Sequence, residues 1–590
     1  MRIIGTLLVL FLCSPLSLAQ EKNIALHQFF EQQWQRGLID SPENASYNGD
    51  MRYNALWTNL SLSAIAEREA ADRAALVSLQ GFNRADLSAA DQLNYDTFAW
   101  QLNQNITRQA FREYLIPITH QGGVQTVDGL VEILPFNTAK DYQDWLARLD
   151  ALPVLVDQTM VLMQEGIKTG MMPPKVLMER AGKQISKQAN TKPEDSPFYK
   201  PFLSYPESFS AKQKADFSAQ AQTIIREKIK PAYAKLDQFF YQDYLPKSRT
   251  SISVSDLPNG KKYYDFLAQY YTTTPLTAEE IHAIGLSEVA RIRAKMEVVK
   301  TEAGFKGTLP EFFTFLRTDP QFFYPTSAQL LEGYQALSKR MDPELVKSFH
   351  ILPRLTYGVR QIPENIAPDT TTAYYQPGAT DGSRAGFYYV NLYKPEVRPK
   401  WEMMALSLHE AVPGHHFQFA RALELPEMPM FRRTAYFVAY GEGWGLYAEQ
   451  LGYDMGLYNN PYDKFGQLTY EMWRAVRLVV DTGMHAKGWS RQQAIDYFKA
   501  NAPKTDQDIV NEIDRYIGTP GQALAYKIGQ LKISELRDRA QKAIGTKFDL
   551  RAFNDEVLST GSVPLDTLEK RIDQWIAQQT SAEAIKNASD

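Results

Sequence analysis

Apolar residues recur at three- and four-residue steps through most of this chain, and that period constrains the fold more than any other feature. The segments at 56–79, 88–114 and 141–167 all follow it. Such spacing lays one apolar stripe along a helix of about 3.6 residues per turn. At 277–304 the pattern carries its own start and stop: Thr277 with Glu280 makes a capping box, and Gly304 ends it. Strand-like text is scarce. The best case is RAGFYYVNLY at 384–393, rich in Tyr, Phe and Val and bounded by Gly and Pro. The expected class is mainly α, a large helical body with a small β edge sheet.

With 590 residues, 44% hydrophobic and 12% aromatic, the chain can bury a large core and is not globally disordered. No internal repeat or low-complexity tract interrupts it. Pro-rich polar text at 189–206 and a break at 251–264 suggest a loose division. An N-terminal helical region, 20–250, precedes a region 251–590 that carries the chemistry, and the two are free to pack as one body.

The first 19 residues read as a secretory signal: Arg2, an apolar run at 3–12, and Ser-Leu-Ala before Gln20. Cleavage is expected after Ala19. A buried N-terminal strand or helix would leave this three-part order unexplained. Cys13 is the single cysteine, and the residue before it, Leu12, is not the small residue a lipid-attachment site needs. The exported chain is then expected to have no thiol, which excludes disulfides and cysteine catalysis. Its net charge is −4 before cleavage and one unit more negative after it, with no basic run. That excludes nucleic acid as the expected partner. No later apolar run has the length of a membrane span. A periplasmic or secreted protein without a membrane anchor is expected.

The chemistry concentrates in LHEAVPGHHFQ, 408–418. Catalytic zinc usually takes three protein ligands and keeps one position for water. In the common helical motif two histidines stand four residues apart, with a glutamate base after the first. Here His409 and Glu410 supply the start, but Pro413 stands where the second histidine should be. On an unbroken helix His415 points about 120° away from His409, and His416 lies about 10 Å further along the axis. Pro413 and Gly414 must therefore widen or kink the helix, which can return His415 to His409. Three of the chain's eight histidines fall in this stretch. Glu442, between glycines in AYGEGWGLYAEQ, is available as third ligand. Glu449, about two turns later, can orient a ligand histidine or remain a solvated charge. A His-Glu pair alone is more often a surface or capping feature, and Glu442 alone is explained by a helix N-terminus. The three elements together are hard to explain without a metal. A closed structural zinc is disfavoured because such sites are usually thiolate-rich.

The blocks HEAVPGHHFQ, EGWGLYAEQLG, RLVVDTGMHAKGWS and PGQALAYKIGQLKISELR resemble those of a bacterial family called domain of unknown function 885, over most of the chain beyond the signal. Its central motif is similar to that of gluzincin metallopeptidases. The resemblance implies a metallopeptidase-like helical body holding one Zn2+ per chain on His409, His415 and Glu442. It favours His415 over His416, because the family's Gly-His step falls on Gly414 and His415. It also implies Glu410 as general base toward a short peptide substrate.

Further groups are candidates on position. His485 and Tyr526 could donate to an oxyanion. Asp481, four residues before His485, could orient it. Arg474 and Arg477 could hold a substrate carboxylate, or form structural ion pairs. Tyr388 or Asn391, on the strand before the motif, could face a peptide paired to that edge, or lie buried without a ligand. Two rival functions remain. One is an amidohydrolase acting on cell-wall fragments or acylated amino acids; the other is a binding protein that kept a metal without turnover. The sequence sets no oligomeric state.

Overall fold

The computed structural model describes residues 16–364, 367, 371–378, 384–426 and 428–587. Most of the expected signal therefore lies outside the described residues. Helix makes up 73% and strand 3%, so the chain is mainly α.

Leu62–Gln80, Ala89–Gln109 and α1 (Ala139–Thr169) cover the first three periodic segments. The first starts six residues later than its periodicity suggests. Ser61 caps it through Ala64 N–H at 3.3 Å, and the preceding residues bind α1 instead. Trp57 Nε1 donates to Arg148 O at 2.6 Å, and Leu60 N–H donates to Gln158 Oε1 at 2.8 Å. α2 (Ala278–Glu302) opens on its capping box, with the Thr277 N–H donating to Glu280 at 2.8 Å.

Three short strands follow: β1 (Tyr357–Gln361), β2 (Ala373–Gln376) and β3 (Gly386–Val390). Their order is β1-β3-β2, with β1 parallel and β2 antiparallel to β3. β3, the strand legible in the sequence, is thus the centre of the sheet. It has no free edge on which a peptide could add, and the expectation of an edge strand there is corrected. Next come α3 (Lys400–Glu410), α4 (His415–Leu423), α5 (Val438–Asp454), α6 (Pro461–Ala486), α7 (Asp506–Gly518) and α8 (Ala525–Ile544).

α6 is buried continuously from Phe465 to His485 and packs against α2, α3 and α8. A helix without a solvent face must pair every charge it carries. Glu471 meets Lys527 of α8 at 2.8 Å and also binds Arg291 of α2. Asp481 accepts from the Tyr264 hydroxyl at 2.6 Å and the Gly521 N–H at 3.1 Å. One continuous apolar core includes residues from Ile118 to Ile572 and so crosses the expected division at residue 250. No described helix is long and apolar enough to cross a membrane.

Candidate metal centre

α3 ends at Glu410 and α4 begins at His415. The sequence suggests one widened helix; the structure has two helices joined by a tight turn. Pro413 offers no N–H to continue α3, and Gly414 adopts ψ −130° as the cap of α4. A Cβ on Gly414 would sit 1.9 Å from His409 O, so only glycine fits. Trp444 of α5 fixes the turn by donating its Nε1–H to Pro413 O at 2.8 Å. The result is what a motif of normal spacing achieves on one helix: the His409 and His415 rings lie 4.7 Å apart, edge to face.

α5 brings Glu442 to the same point, and the spacing of its glycines explains how. A Cβ on Gly445 would lie 2.6 Å from His409 Cε1, and one on Gly443 would lie 2.5 Å from the backbone of Gly529 in α8. Bare backbone on these faces lets α5 close on both neighbours. Glu442 Oε2 then sits 3.5 Å from His409 Nε2 and 3.4 Å from His415 Nε2. These separations are long for hydrogen bonds, which run to about 3.2 Å. They match two ligand atoms on one tetrahedral zinc, about 3.3–3.4 Å apart when bonds are about 2.0–2.1 Å. All three donor atoms fall within 4.8 Å of one another, and the residues fit the ion in number, type and spacing.

Glu449, one α5 turn-pair beyond Glu442, is fully buried and accepts from His409 Nδ1–H at 2.9 Å. That bond commits Nδ1 and leaves Nε2, facing Glu442, as the nitrogen that would take a metal in exchange for its proton. Arg474 of α6 stands 3.7 Å behind Glu449 and balances its charge. Burial would push the Glu442 carboxyl up, but the two histidines hold it well below the usual carboxylate range. Burial likewise opposes a charge on His409, yet Glu442 and Glu449 lift it to about 9.

Glu410 closes α3 beside His409, half-buried, and its carboxylate accepts no hydrogen bond among the described residues. Tyr526, at the start of α8, is within electrostatic reach of Glu442, and Arg477 lies 4.4 Å from its ring centre. Tyr436, which the sequence did not single out, donates its hydroxyl to Glu442 Oε1 at 3.2 Å. It precedes α5 in an irregular turn, where no helical period marks it.

Several candidates lie elsewhere or do other work. His416 donates Nε2–H to Leu355 O at 3.1 Å and accepts the Tyr375 hydroxyl on Nδ1 at 2.9 Å. Both nitrogens are used, so it has no lone pair for a metal. His485 is occupied in the same way, accepting Val254 N–H and donating to Tyr516 O, each at 3.1 Å. It is a packing residue, and Asp481, bound to Tyr264 and Gly521, does not orient it. Arg474 serves Glu449 and the Tyr470 carbonyl rather than a substrate. Arg477 binds the Tyr516 hydroxyl at 2.7 Å and Glu512 at 3.0 Å, so both arginines have structural partners. Tyr388 is wholly buried, 3.4 Å from Ser407 Oγ. Asn391 ties down a loop by donating to Ala367 O at 2.8 Å and Thr371 O at 3.1 Å. Tyr388 lies behind the motif helix within electrostatic reach of Glu410 but has no exposed surface for a substrate.

A family model described as "Bacterial protein of unknown function (DUF885)" matches residues 42–572. Among solved structures, a candidate lipoprotein from Colwellia psychrerythraea is similar at 28% identity. The alignment covers 94% of this chain and 100% of that one, with a TM-score of 0.90. A candidate lipoprotein of unknown function from Shewanella oneidensis shares the fold at 18% identity and a TM-score of 0.72, covering 92% of this chain and 99% of that one. No curated protein matches the sequence.

Proposed function

The chain belongs to the bacterial DUF885 family, whose function is unknown, and from its own residues we propose that it is an exported zinc-dependent peptidase, similar to the gluzincins, acting on short peptides. The observation that carries the reading is the convergence of His409 Nε2 and His415 Nε2 on one oxygen of Glu442, at 3.5 and 3.4 Å, with Glu410 the residue after His409 and its carboxylate without a hydrogen bond among the described residues.

A zinc ion held by His409, His415 and Glu442 supplies Lewis acidity and makes water more acidic. The chain's residues do the rest. Glu410 takes the proton of the attacking water and passes it to the leaving amine. Tyr526, half-buried at the start of α8, donates to the oxygen on which charge develops. Glu449 holds the His409 ring in one tautomer, and Arg474 keeps Glu449 in place.

Export rests on the N-terminal signal pattern and on the likeness to the Colwellia candidate lipoprotein. Because Leu12 precedes Cys13, we place cleavage after Ala19 and no lipid on the cysteine.

The test is hydrolysis of a mixed short-peptide library by zinc-loaded protein, read by mass spectrometry, alongside Glu410→Gln. The expected result is cleavage by the parent and a loss of about 10²–10⁴-fold in the variant with zinc retained. Full activity in Glu410→Gln refutes the assigned base. Inertness toward peptides with turnover of acylated amino acids would favour the amidohydrolase alternative.

A further inference from the structure

Three rings beside the centre form a feature that the proposed chemistry does not use. Phe419 lies one turn beyond His415 on α4, so the two share a helix face, with ring centres 6.4 Å apart. Tyr436 stacks on Phe419 at 5.8 Å, with 12° between the planes. Tyr375 of β2 approaches Phe419 at 5.9 Å and 30°. The band thus runs from β2, at one edge of the sheet, to the candidate ligands.

Its geometry is held by the polar tips of the outer rings. The Tyr436 hydroxyl donates to Glu442 at 3.2 Å, and the Tyr375 hydroxyl donates to His416 Nδ1 at 2.9 Å. Gly441 makes room for Tyr436: a Cβ there would lie 2.3 Å from its ring. This also gives His416 a use, as the anchor of Tyr375.

The rings are placed firmly but not covered. Tyr436 is 42% exposed, and Phe419 and Tyr375 are half-buried. Nearby aromatics such as Trp444, Tyr440 and Tyr388 are fully buried. Tyr436 bonds Glu442 and Phe419 lies beside His415, so whatever rests on the band adjoins the candidate ligands. The band itself carries no charge. The closest carboxylates, Glu410 and Glu442, disfavour an acidic occupant.

We propose that Tyr375, Phe419 and Tyr436 form the side-chain subsite of the centre and take an aromatic or large aliphatic side chain next to the cleaved bond. The proposal rests on the peptidase reading above and names its substrate class: short peptides with an apolar residue at that position. Offset or parallel ring contacts with a substrate side chain suit a pair of stacked rings with open surface. One methylene in an apolar pocket is worth about 10–200-fold, so a Phe-for-Ala difference should reach at least about tenfold in kcat/KM.

The test uses pairs of short peptides that differ only in Phe against Ala beside the cleaved bond. Zinc-loaded protein should cleave the Phe member at least about tenfold more efficiently. Phe419→Ala should bring the ratio close to one while zinc content stays unchanged, and Phe419→Leu should give an intermediate ratio if the alanine variant folds poorly. Tyr436→Phe, which keeps the ring, should preserve the preference. A parallel calorimetric measurement uses zinc-loaded Glu410→Gln, in which both peptides can bind without turnover. It should hold the Phe peptide about tenfold more tightly, and Phe419→Ala added to it should equalise the two. If no peptide is cleaved but this binding preference is present, the chemistry fails and the subsite stands. If peptides are cleaved or bound with no Phe preference, or with one that Phe419→Ala does not move, the band is packing and the inference is overturned. If no peptide is cleaved and Glu410→Gln binds neither, both readings fall.

Discussion

His409 and His416 differ in what holds their ring nitrogens. His409 gives Nδ1–H to Glu449 and keeps Nε2 toward Glu442; His416 spends both nitrogens on Tyr375 and Leu355. Residue type and spacing in HEAVPGHH point to a metal, but the choice between His415 and His416 rested on resemblance to the family, because a ring's second partner comes from distant sequence. Two outcomes follow at this scale. Glu449→Gln should weaken zinc binding about 10–100-fold, measured by competition with a chromophoric chelator, because the His409 ring loses its charged anchor. An unchanged affinity would assign Glu449 to packing. Gly445→Ala should weaken zinc binding as well, although alanine favours helix. Its Cβ would lie 2.6 Å from His409 Cε1, so an unaltered site would show that the ring has room to move.

Among the elements, the pair α3 and α4 shows both the reach and the limit of pattern reading. Pro-Gly after His-Glu signals a break, and the glycines around Glu442 signal close backbone approach. How the break returns His415 to His409 depends on Trp444, thirty-one residues from Pro413, donating to its carbonyl. α6 misled for a related reason. Asp481 and His485 stand four apart, as an orienting pair should, but a helix buried all round offers partners on every side. Each residue found its own on another element. The strand at 384–393 was legible as a strand; its central place was not, because β1 and β2 carry weak strand signals of only five and four residues. Buried neutral histidines give α6 and its neighbours a pH signature. Burial lowers His485, His416 and His120 to about 4. A histidine depressed in the folded state contributes stability above its unfolded pKa of about 6.5 and loses it as pH falls through 4. The unfolding free energy from denaturant titrations should therefore drop between pH 6.5 and 4, by on the order of 3 kcal/mol for a group as buried as His485. His485→Gln should be less stable at pH 7 and flatter across that window. An equally steep profile would show that His485 is not a source of the slope.

At the scale of the whole molecule, the apolar core links residues on both sides of position 250. Calorimetry should show one cooperative unfolding transition, and two separated peaks would establish independent halves. Zinc at a hundredfold excess over its Kd should stabilise the fold by about 2.7 kcal/mol. The assignment of one metal to His409, His415 and Glu442 is tested by elemental analysis of protein purified without chelators. It predicts about one zinc per chain, lost in His409→Ala, His415→Ala and Glu442→Ala and kept in His416→Ala. Protein that binds no metal when zinc is supplied, or that keeps its zinc in His409→Ala, would contradict it.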